Sequence, residues 1–160
     1  MSAPLVILAT GGTGGHVFPA EALAGELAGR GYRLALVTDH RGDALSGVLG
    51  NLDTYRIRAG GVAGKKLISM LLSGSELAIG FLQARNLLRK LAPHVVIGFG
   101  GYASVPTMLA AVFGGFAAAI HEQNAVLGRA NRMLASRVKK IATCFDNVAG
   151  VPEGMDTKVV

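Results

Sequence analysis

Cysteine is nearly missing from the chain: one in 160 residues, Cys144, so no disulfide can form within it. A lone thiol in the apolar run Ile141-Ala142-Thr143-Cys144-Phe145 is expected to be buried rather than reactive. A fold without cross-links suits a cytoplasmic compartment. Long hydrophobic runs are missing too: no uncharged apolar stretch reaches the roughly 18 residues that a membrane span needs. Residues 1–9 carry neither the charged start nor the cleavage site of a signal peptide, so neither a leader nor a membrane-spanning segment is expected. There is no Asp-x-Asp pair and no cluster of His and Cys, so no metal cofactor is expected.

What the chain has is glycine, 23 residues, and an apolar half, 51%. Its length fits one domain with a core of its own. Lys and Arg outnumber Asp and Glu by 16 to 10, and the net charge of +6 favours anionic partners in general without choosing among phospholipid, sugar nucleotide and nucleic acid.

Apolar, β-branched runs at Leu5–Ala9, Arg33–Thr38, Tyr55–Ile57, Val95–Gly98, Ala117–Ile120 and Lys140–Thr143 alternate with helix-length segments. That alternation predicts an α/β fold, a Rossmann-like doubly wound parallel sheet covered on both faces. The first helix is expected over Val17–Gly29, with Pro19 in its first turn and Gly31 closing it. Later helices are expected near 43–49, 75–91, 105–113 and 126–136. Arg58–Lys66 reads as a basic loop, and Lys158-Val159-Val160 begins another apolar run at which the chain looks cut.

Gly11-Gly12-Thr13-Gly14-Gly15-His16 lies between the first strand and the first helix. Glycines there let a ligand approach the backbone, and a helix start offers unpaired N–H donors to a phosphate or sugar oxygen. It is not a Walker A loop, for no Gly-Lys-Ser/Thr follows. A dinucleotide fingerprint fails at its third glycine, where Val17 stands, although Asp39 occupies the place of a ribose-binding acid. An NAD-binding oxidoreductase domain therefore stays open as an alternative. Gly98-Phe99-Gly100-Gly101-Tyr102-Ala103-Ser104-Val105-Pro106 follows the fourth strand, and His121-Glu122-Gln123-Asn124 follows the fifth. In a doubly wound sheet all three segments share the ligand-binding edge.

GGTGGHVFPA (Gly11–Ala20), GFGGYASVP (Gly98–Pro106) and HEQNAVLGRAN (His121–Asn131) together resemble the MurG family of bacterial N-acetylglucosaminyltransferases. The resemblance implies the N-terminal, acceptor-binding half of a two-domain GT-B glycosyltransferase, with a C-terminal donor-binding domain absent from this chain. It implies inverting transfer of N-acetylglucosamine from UDP-GlcNAc to the 4-hydroxyl of undecaprenyl-pyrophosphoryl-N-acetylmuramoyl-pentapeptide, lipid I to lipid II. The implied location is the cytoplasmic face of the inner membrane, with no nucleic acid as partner. A non-catalytic subunit of a split glycosyltransferase is a further alternative.

His16, at a helix start whose positive end disfavours a second charge, is a candidate general base, and Glu122 is the other. The resemblance places Thr13, Gly14, Gly15 and Asn124 near the donor, and gives Gly100, Gly101, Tyr102, Ser104, His121 and Asn131 substrate-binding roles. Within 75–91, Leu77, Phe81, Ala84, Leu88 and Leu91 form one core-facing stripe, which leaves Ile79 and Leu82 outside it. Together with Leu71, Leu72 and Phe81, ringed by Lys65, Lys66, Arg85, Arg89 and Lys90, they predict a patch for an anionic bilayer.

Overall fold

The computed structural model describes residues 3–11, 13–39, 47–59 and 67–160, with side chains from 74 onward in the last segment. Seven parallel strands lie in the order β3-β2-β1-β4-β5-β6-β7. They are β1 (Leu5–Ala9), β2 (Arg33–Thr38), β3 (Asp53–Arg56), β4 (Val95–Gly98), β5 (Ala118–Glu122), β6 (Lys140–Thr143) and β7 (Thr157–Val159). The order reverses between β1 and β4, where ligands bind in doubly wound sheets.

Successive strand side chains point to opposite faces, and here both faces are covered. Leu5, Ile7 and Ala9 join one core layer with Ala84 and Leu88 of α3 (Leu67–Leu91) and Met108 of α4 (Ser104–Phe113). Val6 and Leu8 join the other with Ala20 and Ala24 of α1 (Gly14–Gly29) and Leu49 of α2 (Gly47–Gly50). Two-sided burial is why β1 reads as an unbroken apolar run. Truncating fully buried Leu8 to Ala is expected to cost about 2–5 kcal/mol. Gly80 lets α3 press on the end of the β3 segment, since a Cβ there would overlap the Arg58 carbonyl oxygen.

Several boundaries differ from the sequence reading. The first helix starts at Gly14, three residues early, because extended Thr13 (φ −98°, ψ 140°) is already its N-cap; Pro19 thus falls beyond the first turn. Strand β5 runs on through Glu122, because His121 and Glu122 pair with Ala142 and Thr143 of β6. Helix α3 begins at Leu67 instead of Ser75. Helix α5 shrinks to Arg129–Leu134, because Ala125 and Leu127 exchange backbone bonds with Ala149. Cys144 is exposed, not buried: β6 ends at Thr143, so the thiol lies past the layer that covers the strand. The expected second helix over 43–49 lies partly outside the described residues.

Candidate functional site

Parallel strands bring the ends of β1, β4 and β5 to one rim, and the segments after them enclose a cleft of about 390 Å³. Gly11, Thr13 and His16 form one wall, and Gly100, Gly101 and Tyr102 a second. Glu122, Gly128, Arg129, Ala130 and Asn131 complete it. The two catalytic candidates, read 106 positions apart in sequence, thus share one edge, as the topology reading requires.

The first wall is left open by the fold. Thr13 makes no side-chain capping bond, and no acidic residue stands in the first turn of α1, so the helix start presents N–H donors to the cleft. A Cβ at Gly15 would meet nothing within 4 Å. Packing within this chain does not require glycine there.

In the second wall, glycine is obligatory. Gly100 and Gly101 have φ of +92° and +75°, and a Cβ on either would come within 3.1 Å of the His16 ring. These turns hold the imidazole: Gly100 flanks Nδ1 and Cε1, and Gly101 flanks Cδ2 and Nε2. Nδ1 lies 2.8 Å from Nε2 of Gln123. Ser104, buried, donates its hydroxyl to the Gly101 carbonyl at 2.9 Å and so closes the turn.

In the third wall, the Glu122 carboxylate is buried, 1% exposed. Its Oε1 accepts from the backbone N–H and the side-chain amide of Asn124, at 3.0 and 2.8 Å. Its Oε2 accepts from Gly128 N–H and Asn131 Nδ2, both at 2.9 Å. Four donors match the four lone-pair directions of a carboxylate, which ties the 122–128 loop to the start of α5. Asn131 also donates to the His121 carbonyl at 2.9 Å and is buried, not an exposed helix residue. His121 points behind the cleft: its ring lies on Phe99, 5.5 Å between centroids, and its Nε2 is 3.6 Å from Cys144 Sγ. Burial pushes its pKa down, partly opposed by Gln123 and the Glu122 charge.

Gln123 and Arg129 were missed in the sequence. Both lie within HEQNAVLGRAN, but nothing in that segment marks Arg129 as a cleft residue, and Gln123 gains meaning only from a ring 107 residues away. On the outer face, Leu77 and Phe81 are half-buried and Ala84 and Leu88 buried, as the stripe requires, while Ile79 and Leu82 are 38% and 56% exposed. Arg85 and Arg89 are exposed beside them. Phe113, 70% exposed, packs edge-on to Phe81 and widens the patch, a contribution the sequence did not disclose. Lys65 and Lys66, and the side chains of Leu71 and Leu72, lie outside the described residues. Among the described residues no helix is long and apolar enough to cross a membrane.

The glycosyltransferase family 28 N-terminal domain matches residues 6–143. The chain belongs to this family. A relative in Paramagnetospirillum magneticum is 60% identical over 157 residues, which span 98% of this chain and 42% of the relative. It is named UDP-N-acetylglucosamine–N-acetylmuramyl-(pentapeptide) pyrophosphoryl-undecaprenol N-acetylglucosamine transferase. One of the same name in Rhodospirillum rubrum is 62% identical over 146 residues, 91% of this chain and 38% of the relative. Among solved structures, Acinetobacter baumannii MurG superposes with a TM-score of 0.81 at 31% identity, over 98% of this chain and 45% of that one. The chain therefore spans about two fifths of the curated relatives it matches. Family 28 membership disfavours the oxidoreductase alternative, and so does Asp39, which is fully buried and not open to a ribose.

Proposed function

We propose that this family 28 domain is the acceptor-binding half of an inverting transferase that moves N-acetylglucosamine from UDP-GlcNAc to lipid I. The observation that carries this reading is the convergence of the uncapped α1 start, the Gly100-Gly101 turn and the His121–Asn131 segment on one cleft, with His16 at their meeting point. His16 is the base. Its imidazole removes the proton of the acceptor 4-hydroxyl as that oxygen attacks the anomeric carbon and the bond to UDP breaks. Glu122 has no lone pair left to offer and keeps the third wall in place. A donor-binding domain outside this chain supplies the opposite side of the cleft, and helix-end N–H groups and hydrogen bonds stabilise the departing diphosphate without a metal.

The α3–α4 face supports a peripheral seat on an anionic bilayer at the cytoplasmic face of the inner membrane. Ile79, Leu82 and Phe113 are exposed, and Arg85 and Arg89 stand beside them. Such a seat suits an acceptor whose polyprenyl carrier stays in the bilayer while its sugar enters the cleft.

The test uses the 160-residue chain and a full-length enzyme carrying it. The chain alone is expected to bind UDP-GlcNAc weakly and turn nothing over, since a cleft enzyme needs both walls to orient its substrates. In the full-length enzyme, His16→Ala is expected to lower kcat roughly 10²–10⁴-fold and to change donor affinity less. Turnover by the isolated chain would remove the need for a second half. A His16→Ala enzyme that loses only donor affinity would make His16 a binding residue.

A further inference from the structure

The Gln123 side chain lies between two histidines. Its Nε2 is 2.8 Å from Nδ1 of His16, and its amide also favours the protonated form of the His121 ring. Gln123 Oε1 and His121 Nδ1 are both buried, and neither completes a hydrogen bond of good geometry. An amide has a donor end and an acceptor end, and a neutral imidazole has one nitrogen of each kind. One amide shared by two Nδ1 atoms can therefore not treat both alike.

We propose that Gln123 is a positioning residue that sets which nitrogen of His16 carries the proton, and does so in opposite sense to His121. This rests on the reading of His16 as the base. With the amide NH₂ toward His16, Nδ1 accepts, so Nε2 carries the proton and cannot take another. The carbonyl is then the end left for His121, whose buried Nδ1, like the amide oxygen itself, has no other partner. The free Nε2 of His121 accepts from the Cys144 thiol, 3.6 Å away. A half-turn of the amide reverses every bond: the carbonyl accepts His16 Nδ1–H, and Nε2, on the Gly101 side, is left with a lone pair for the acceptor hydroxyl. Proton uptake at Nε2 gives an imidazolium with N–H at both nitrogens. Only the carbonyl end of Gln123 can hold its Nδ1–H, so the reversed arrangement is the one that supports the reaction until the proton passes to solvent. The arrangement has the logic of a base oriented by a third group, with a neutral amide as the orienter.

Ring tautomers can be read directly from long-range proton–nitrogen correlations of the ¹⁵N-labelled 160-residue chain, above the pH at which its histidines are charged. In the wild type, His16 and His121 are expected in opposite tautomers. In Gln123→Glu, whose carboxylate can only accept, both rings are expected to carry their proton on Nδ1. In Gln123→Met, His16 is expected to take the tautomer mixture of an exposed histidine. Identical tautomers in the wild type, or a His16 spectrum unmoved in both variants, would overturn the proposal; the wild-type measurement decides even if Gln123→Glu does not fold. In a full-length enzyme, Gln123→Met is expected to lower kcat roughly ten- to hundredfold, the span for losing one hydrogen bond to a charged ring, with donor KM kept. If the tautomers shift as expected and kcat does not move, Gln123 sets the ring but His16 is not the base.

Discussion

The turn after β1 and the segment after β5 border the same cleft, yet they treat polar groups in opposite ways. After β5, one carboxylate takes four hydrogen bonds and a buried asparagine bridges two partners. After β1, the helix start is uncapped and Gly15 has open space where a side chain could stand. A polar group satisfied inside the chain builds scaffold, and one left unsatisfied at a rim is available to a ligand. The rule separates His16 from Glu122, which sequence alone left as equals.

The largest expected effect comes from breaking the satisfied side. Glu122→Ala strands the donors of Asn124, Gly128 and Asn131, and should destabilise the chain by about 3 kcal/mol or more, measured as a drop in urea midpoint at unchanged slope. Glu122→Gln keeps one oxygen and turns an amide donor toward existing donors, so it should cost about half as much. If Glu122→Gln instead left stability intact while abolishing turnover in a full-length enzyme, the carboxylate would be chemistry and not scaffold.

His121 belongs to the same scaffold and sharpens the contrast through pH. Burial lowers its pKa below the ordinary 6.5, so the unfolded chain binds a proton that the folded chain declines. Stability on this account is complete above the unfolded value and is lost as pH falls below about 6.5, by at most about 1.4 kcal/mol per pH unit for one proton. Thermal melts of wild type and His121→Asn should diverge in pH dependence below that point. Parallel curves would mean that His121 charges freely in the fold.

On the open side, Gly15→Ala should leave stability equal or raise it by roughly 0.5–1 kcal/mol, as Gly to Ala within a helix does. Donor affinity in a full-length enzyme should nonetheless fall about tenfold, because the methyl group occupies space a ligand needs. A variant that is both more stable and equally tight would show that this glycine serves neither fold nor ligand.

The parallel sheet and the shared rim were legible in the sequence because parallel strands buried on both faces must be continuously apolar, and β1 and β4 are. The glycine turns were legible because their composition exceeds what a turn uses. Partnerships were not. Nothing in His121-Glu122-Gln123-Asn124 says that alternate residues of a strand end face opposite ways, so that Glu122 lines the cleft and His121 lies behind it on Phe99. Cys144 was misread because an apolar neighbourhood in sequence was taken for burial, although β6 ends one residue earlier.

The smallest expected effect tests whether the same rule holds for apolar groups. Ile79 and Leu82 lie off the stripe that Phe81, Ala84 and Leu88 turn to the core, and the fold leaves them exposed with Phe113. Their replacement by serine removes little packing, so stability should stay within about 0.5 kcal/mol, as for surface substitutions generally. Burying the two side chains at a membrane interface is worth about 25 cal/mol for each Å² of apolar surface covered, and only the part exposed here can be gained. The double substitution Ile79→Ser, Leu82→Ser should therefore weaken sedimentation with anionic vesicles several-fold without abolishing it. Arg85 and Arg89 remain, and each basic side chain near an anionic surface contributes about 1 kcal/mol. The residual binding should fall with salt, because that part is screened. Equal binding to neutral vesicles, or a double variant that binds as the wild type does, would mean that this face is covered by protein instead, and that its exposed apolar groups belong to an interface with another domain.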